Sequence, residues 1–206
     1  AERQGDLRLL VSDDGYAWEP ISEKPQVDAV GAEEGEFDFD DEGNLVATVR
    51  LETGGSLVCT ASKDDLASWQ TRFGPDKYDS ALMFRHDGQF YVVARRNVAG
   101  SFDRGADFLP PRLRRAYYLV RYSLTRKRTC LYRVDVAEKR LAPVFDFPSK
   151  GDTAFAGIAP LDEHSFYLAN YSSPVNGPDW PWLFGQILPT RIYDAVIHFA
   201  PETPVH

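Results

Sequence analysis

At 206 residues the chain can bury a sizeable core in one or two domains. A formal net charge of −8 argues against general polyanion binding, and 43% hydrophobic with 13% aromatic residues excludes a disordered chain. No apolar run approaches the roughly 18 residues that a membrane-spanning helix needs.

In chain order, almost every apolar segment is short, rich in β-branched or aromatic residues, and bounded by Gly, Pro, Asp or Asn, which is the pattern of strands. The segments are 7–11 (LRLLV), 45–51 (LVATVRL), 56–62 (SLVCTAS), 90–96 (FYVVARR), 117–124 (YYLVRYSL), 130–136 (CLYRVDV), 165–171 (SFYLANY) and 192–199 (IYDAVIHF). No stretch of 12 residues carries a 3.6 period, and 64–69 (DDLASW) amounts to one helical turn at most. The expected fold is all-β. Cys59 and Cys130 each fall within one of these runs and read as free buried thiols, which leaves the compartment open.

Three regions, 34–50, 79–95 and 155–171, repeat one pattern. Gly43, Gly88 and His164 mark its turns. Nine positions before each stand Glu34, Asp79 and Phe155, and seven positions after each stand Arg50, Arg95 and Tyr171. A strand, a tight turn and a second strand recurring as a unit signal a repeat architecture. A second repeat agrees: Ser12, Asp14 and Trp18 match Ser62, Asp64 and Trp69, with the serines 50 residues apart, the length of one four-stranded propeller blade. In such a turn the Asp closes on backbone N–H groups while the Trp packs between sheets.

These residues resemble the Asp-box (BNR) repeats of sialidase-like β-propellers. The order Glu34, strand, D-E-G turn, strand ending in Arg50, then SLVCTASKDDLASW is similar to the sialidase segment bearing the assisting glutamate, one arginine of the carboxylate-binding triad and an Asp box. The likeness covers roughly 7–199 and is specific around 34–69; the first Asp box is one residue short, and Leu66 stands where the second usually has Gly. The resemblance implies a β-propeller of four-stranded blades, six when complete, of which this chain supplies about three to four. Residues 1–206 then form one propeller segment. It runs from the end of one blade (1–27) through blades at 28–75 and 76–150, the latter with an inserted basic hairpin at 97–128, to a last blade at 151–206. The remaining blades are expected from the same precursor or from a second chain. The resemblance also implies a glycoside hydrolase acting on terminal, possibly anionic, sugars, and favours a secreted or periplasmic setting over the cytoplasm.

Ligands of a propeller bind near its axis, where the inner strands begin. Antiparallel pairing brings the start of a strand opposite the finish of its partner, so the repeat places Glu34, Asp79, Arg50, Arg95 and Tyr171 on one face. Arginine forks suit a sugar carboxylate. From the resemblance, Glu34 matches the glutamate that assists the nucleophile and Arg50 a triad arginine, with Arg95 or Arg96 as a second. Phe155 occupies the place expected for the tyrosine nucleophile and cannot attack an anomeric carbon. That role is left to Tyr171 displaced into it, or to Asp152 as nucleophile or acid. An ion pair between Glu34 and Arg50 that braces the blade is the structural alternative.

Residues 108–134 hold Arg112, Arg114, Arg115, Arg121, Arg126, Lys127, Arg128 and Arg133 and no acid. They read as a solvated hairpin or a face docking on the acidic remainder, in preference to a nucleic-acid surface. Trp180 and Trp182, on a Pro-rich loop, suit either sugar stacking or simple packing. Asp38, Asp40 and Asp41 read as a polar hairpin rather than a calcium loop. His86, His164, His198 and His206 show no ligand spacing along the chain, so neither metal nor cofactor is expected. The candidate catalytic set is Glu34, Asp79, Asp152 and Tyr171; the candidate substrate-binding set is Arg50, Arg95, Arg96, Trp180 and Trp182. The alternatives to an enzyme are a non-catalytic carbohydrate-binding propeller and a scaffold docking through the basic segment.

Overall fold

The structure, a computed structural model, describes residues 4–200. Its first strands are β1 (Gln4–Leu7), β2 (Leu10–Val11), β3 (Glu19–Pro20) and β4 (Val27–Val30), paired β1 with β4 and β2 with β3. A four-stranded antiparallel sheet follows: β5 (Ala32–Phe39), β6 (Leu45–Leu51), β7 (Ser56–Ser62) and β8 (Asp65–Gly74). The next has the same order: β9 (Asp79–His86), β10 (Gln89–Asn97), then helix α1 (Pro111–Ser123), β11 (Lys127–Asp135) and β12 (Arg140–Asp146). The last sheet has three strands, β13 (Thr153–Pro160), β14 (Ser165–Ser172) and β15 (Arg191–His198), with the short helix α2 (Trp182–Gly185) before β15.

Each of the three larger sheets is a meander whose first strand lies innermost: β5 packs beside β9, and β9 beside β13. The cores lie between sheets, because period-two alternation gives each strand two apolar faces. On β10, Phe90, Val92 and Ala94 face Val46 and Val58 of the preceding sheet, while Val93 faces Leu168 and Ile197 of the following one. On β6 the partition repeats, with Val46 on one side and Leu45, Ala47 and Val49 on the other. Strands apolar on both faces can stack blade upon blade, which makes this a partial propeller of four-stranded sheets. Cys59 and Cys130 are free and fully buried, and burial pushes both thiols up to about 12.

One expectation is corrected. The segment 97–128, expected as a basic hairpin, carries α1, and 117–124, expected as a strand, lies mostly within it. The helix starts with Pro111 in its first turn, where the missing N–H costs nothing. Tyr118 and Tyr122, four apart and so on one helix face, bury against Phe102 and Ala106. The β-propensity of the tyrosines is overridden by that stripe. Much of the charge of the segment is used internally: Arg114 meets Asp107, Arg128 and Arg126 meet Asp179, Arg121 donates to the Arg104 carbonyl, and Lys127 is fully buried.

The two Asp turns are also built differently from expectation. Asp14 accepts from the Tyr16 and Ala17 N–H groups, but in the second turn Asp65, not Asp64, closes on Ala67. Both tryptophans donate to a carbonyl three residues back, Trp18 to Gly15 and Trp69 to Leu66. Trp69 packs on the core of its sheet, whereas Trp18 stays 60% exposed because β2 and β3 offer it no second sheet.

Candidate functional site

All three inner hairpins break register at the same depth. Between Ala32 opposite Leu51 and Gly35 opposite Val49, Glu33 and Glu34 together face Arg50. Ser80 and Ala81 share the place opposite Ala94, and Phe155 and Ala156 the place opposite Asn170. Such a bulge bends its strand and re-aims side chains, and bulges concentrate beside functional sites. Ser80 and Phe155 adopt φ of 51° and 49° there, the left-handed region that bulky side chains avoid at a cost of about 1–2 kcal/mol. The equal spacings in the sequence therefore drift against the bulges, because the hairpin turns differ in length. Glu34 is the second residue of its bulge and Phe155 the first, while Asp79 lies one residue before its bulge and pairs with Arg95.

On the buried side of the bulges sits a charged knot. Asp79, 1% exposed, accepts a short hydrogen bond from the Tyr122 hydroxyl, with Arg95 Nη1 at 3.7 Å. Arg50 Nε lies 2.9 Å from Asp79 Oδ1, off the hydrogen-bond direction, so this contact is an ion pair only. Arg50 also donates to Glu34 at 2.7 Å and lies 3.5 Å from Glu33. Burial opposes its charge, but Asp79, Glu34 and Glu33 outweigh burial and raise its pKa. Arg95 donates to the Thr153 carbonyl at 2.8 Å, lies 3.6 Å from Asp152 and stacks under the Trp182 ring at 5.1 Å. Asp152 in turn accepts from Trp182 Nε1 at 2.8 Å and from the Tyr171 hydroxyl at 3.2 Å. Burial raises the Tyr171 pKa. Two buried lysines flank the knot. Burial lowers Lys77 to about 8 and Lys127 to about 7, against the pull of Asp79. Neither arginine presents a free fork, since both are engaged by the chain's own acids.

On the open side lies a cleft of about 370 Å³ lined by Glu33, Glu34, Glu36, Thr48, Ser80 and Phe155, among others. Glu34 uses its second oxygen to accept from the Ser80 N–H at 3.0 Å, across to the next sheet. Glu36 is half-buried, and desolvation raises its pKa, aided by Asp38 and opposed by the Met83 N–H. Phe155 is 66% exposed and stacks on Tyr171 with ring centroids 6.2 Å apart. A second hollow, about 360 Å³, lies over Val11–Glu19, but Asp14 there is consumed by its own turn.

Of the residues nominated from sequence, Glu34, Arg50, Asp79, Arg95, Asp152, Tyr171 and Trp182 come together. Arg96 points to the other side of β10 and pairs with Asp146. Trp180 packs on Phe184 instead of joining Trp182. Asp40 closes the β5–β6 turn on the Glu42 and Asn44 N–H groups, and Asp41 pairs with Arg85. Sequence reasoning missed Glu33, Glu36, Lys77 and Tyr122. Glu36 carried a usable signal, lying two residues beyond Glu34 on a strand. Tyr122 carried only the four-residue step from Tyr118 that marks one face of a helix.

No family model matches the chain, and no curated protein matches it either. Solved structures do. The phage phi92 endosialidase superposes with a TM-score of 0.58 at 14% identity over 94% of this chain and 31% of its own. A protein of unknown function from Dyadobacter fermentans gives 0.54 at 15% identity, over 94% and 45%. The α-L-arabinanase of Penicillium chrysogenum gives 0.48 at 10% identity, over 82% and 46%. The chain is part of a β-propeller. It spans between about a third and a half of the length of these structures. No helix among the described residues is long and apolar enough to cross a membrane.

Proposed function

We propose that the chain carries the sugar-binding face of a glycoside hydrolase acting on uncharged terminal sugars. The observation that carries this reading is the cleft itself, where Glu34 and Glu36 share one face with an exposed, strained Phe155. Glycoside hydrolysis needs one carboxyl group to protonate the leaving oxygen and a second carboxylate to act as base or nucleophile. Desolvation holds Glu36 toward its protonated form, which suits the acid. Glu34, oriented by Arg50 and the Ser80 N–H, suits the carboxylate. The Phe155 ring offers a pyranose or furanose an apolar platform. A sialic-acid carboxylate fits this cleft poorly, since three glutamates line it and Arg50 and Arg95 are already engaged.

In this reading Asp79 is a structural anion, and Arg50, Arg95 and the Asp152–Tyr171–Trp182 cluster are positioning residues. The rest of the ring, from the same precursor or from a second chain, adds the far wall of the site. A second reading, a non-catalytic carbohydrate-binding propeller, is favoured by one fact: the Tyr171 hydroxyl is tied to Asp152, so this pair offers no free nucleophile. Aryl glycosides of neutral pentoses and hexoses, assayed with Glu34→Gln and Glu36→Gln, separate the two. The hydrolase loses turnover by about 100-fold or more in both variants, whereas a binding protein shows no turnover to lose and keeps its affinity.

A further inference from the structure

Away from the cleft, at the opposite ends of β9 and β13, two hairpin turns of neighbouring sheets bring His86, Asp87 and His164 together. Each offers one ligand atom, and the three atoms lie within 4.8 Å of one another. The two histidines are far apart in the chain, on turns that correspond in the repeat. Their meeting across the blade interface is why spacing along the sequence concealed them. The absence of a metal expected from that spacing is therefore set aside.

We propose that His86, Asp87 and His164 form a divalent transition-metal site, taking zinc or a similar borderline cation, that ties the second four-stranded sheet to the three-stranded one. Four observations converge on it. His86 Nε2 already lies 3.2 Å from Asp87 Oδ2, close to the separation of two ligands on one ion. The imidazole rings stand 5.5 Å apart at 87°, so they converge edge to face instead of stacking. The His86 ring is held from behind by Phe199, stacked at 4.2 Å, with its side chain only 8% exposed. His164 Nδ1 is buried with no hydrogen-bond partner, a cost of about 1–3 kcal/mol that a metal bond would remove.

A simple His86–Asp87 ion pair accounts for the first observation but leaves His164 Nδ1 orphaned. A metal accounts for both. Two imidazoles and one carboxylate are ligands for zinc, nickel or copper, and a poor set for calcium or magnesium, which take oxygen. Ligand bonds of roughly 2.0–2.2 Å require the three atoms to close by about an ångström, within reach of turn side chains. Asp87 is 68% exposed, so a fourth position opens to water. Lying at the end of β9 remote from Ser80, about 20 Å of strand away, the ion would staple blades and take no part at the cleft.

The test is calorimetric titration of the untagged, EDTA-treated chain with zinc chloride, calcium chloride and magnesium chloride. Zinc is expected to bind one to one and to raise Tm by about 5 °C at saturation, with no response to the other two. His86→Gln and His164→Gln are expected to weaken zinc binding by at least tenfold. Asp87→Asn, at an exposed turn that tolerates the change, is expected to weaken it by about tenfold. Cobalt(II) in place of zinc should give a visible absorption band that disappears in His164→Gln. No stoichiometric zinc binding by the wild-type chain overturns the proposal. So does binding that survives unchanged in all three variants, which would place the ion elsewhere.

Discussion

The two sides of the inner-strand bulges are built from similar residues to opposite ends. On the buried side, Asp79, Arg50, Arg95 and Tyr122 engage one another, and two lysines are held at depressed pKa values by burial. On the open side, Glu33, Glu34 and Glu36 line a cleft with an exposed Phe155. Arg50 belongs to both, since it meets Asp79 on one side and Glu34 on the other. Charged groups near a propeller axis are thus not all available to a ligand. Some hold the blades together, and what distinguishes them is that they face the buried side of the bulges and not the cleft.

The largest effect expected from breaking this division is at the knot. Asp79→Asn leaves Arg50 and Arg95 without their shared buried anion and should cost about 3–5 kcal/mol, read from urea unfolding. Stability should also depend on pH through the buried lysines. Their folded pKa values, about 7 for Lys127 and about 8 for Lys77, lie below the ordinary 10.5, so the unfolded chain binds more protons in between. Stability therefore rises with pH from about 7, by up to about 1.4 kcal/mol per pH unit for each lysine. The rise is confined below about pH 8.5, because Cys59 and Cys130, raised to about 12 by burial, oppose it above that point. Lys127→Met should remove most of the slope between pH 7 and 8. The smallest stability effect belongs to the cleft. Phe155→Ala should leave unfolding within about 0.5 kcal/mol of the wild type, while weakening sugar affinity by about 3- to 10-fold in calorimetric titration.

Period-two alternation between turn residues made the sheets legible, and recurring offsets around Gly43, Gly88 and His164 made the repeat legible. Those offsets placed Glu34 and Arg50 beside each other, as the structure does. They also placed Asp79 opposite Arg95, as the register has it, but they did not reveal the bulges, because a bulge and a turn of different length cannot be told apart from spacing alone. Helix α1 was hidden because its tyrosines and valine favour strands, and only the four-residue step from Tyr118 to Tyr122 betrays it. Trp180 and Trp182, adjacent in sequence pattern, parted because α2 begins at Trp182 and turns one ring toward Arg95. The His86–His164 meeting was illegible for a general reason: contacts between blades join residues whose separation is set by the length of intervening loops.

The most direct test of the account is turnover on matched aryl glycosides, one neutral and one a sialoside, compared in the wild-type chain and in Glu36→Gln. The account predicts hydrolysis of the neutral substrate alone, with a loss of about 100-fold or more in Glu36→Gln. Hydrolysis of the sialoside, with Glu36→Gln unimpaired, would contradict it and place the working groups among the arginines of the knot.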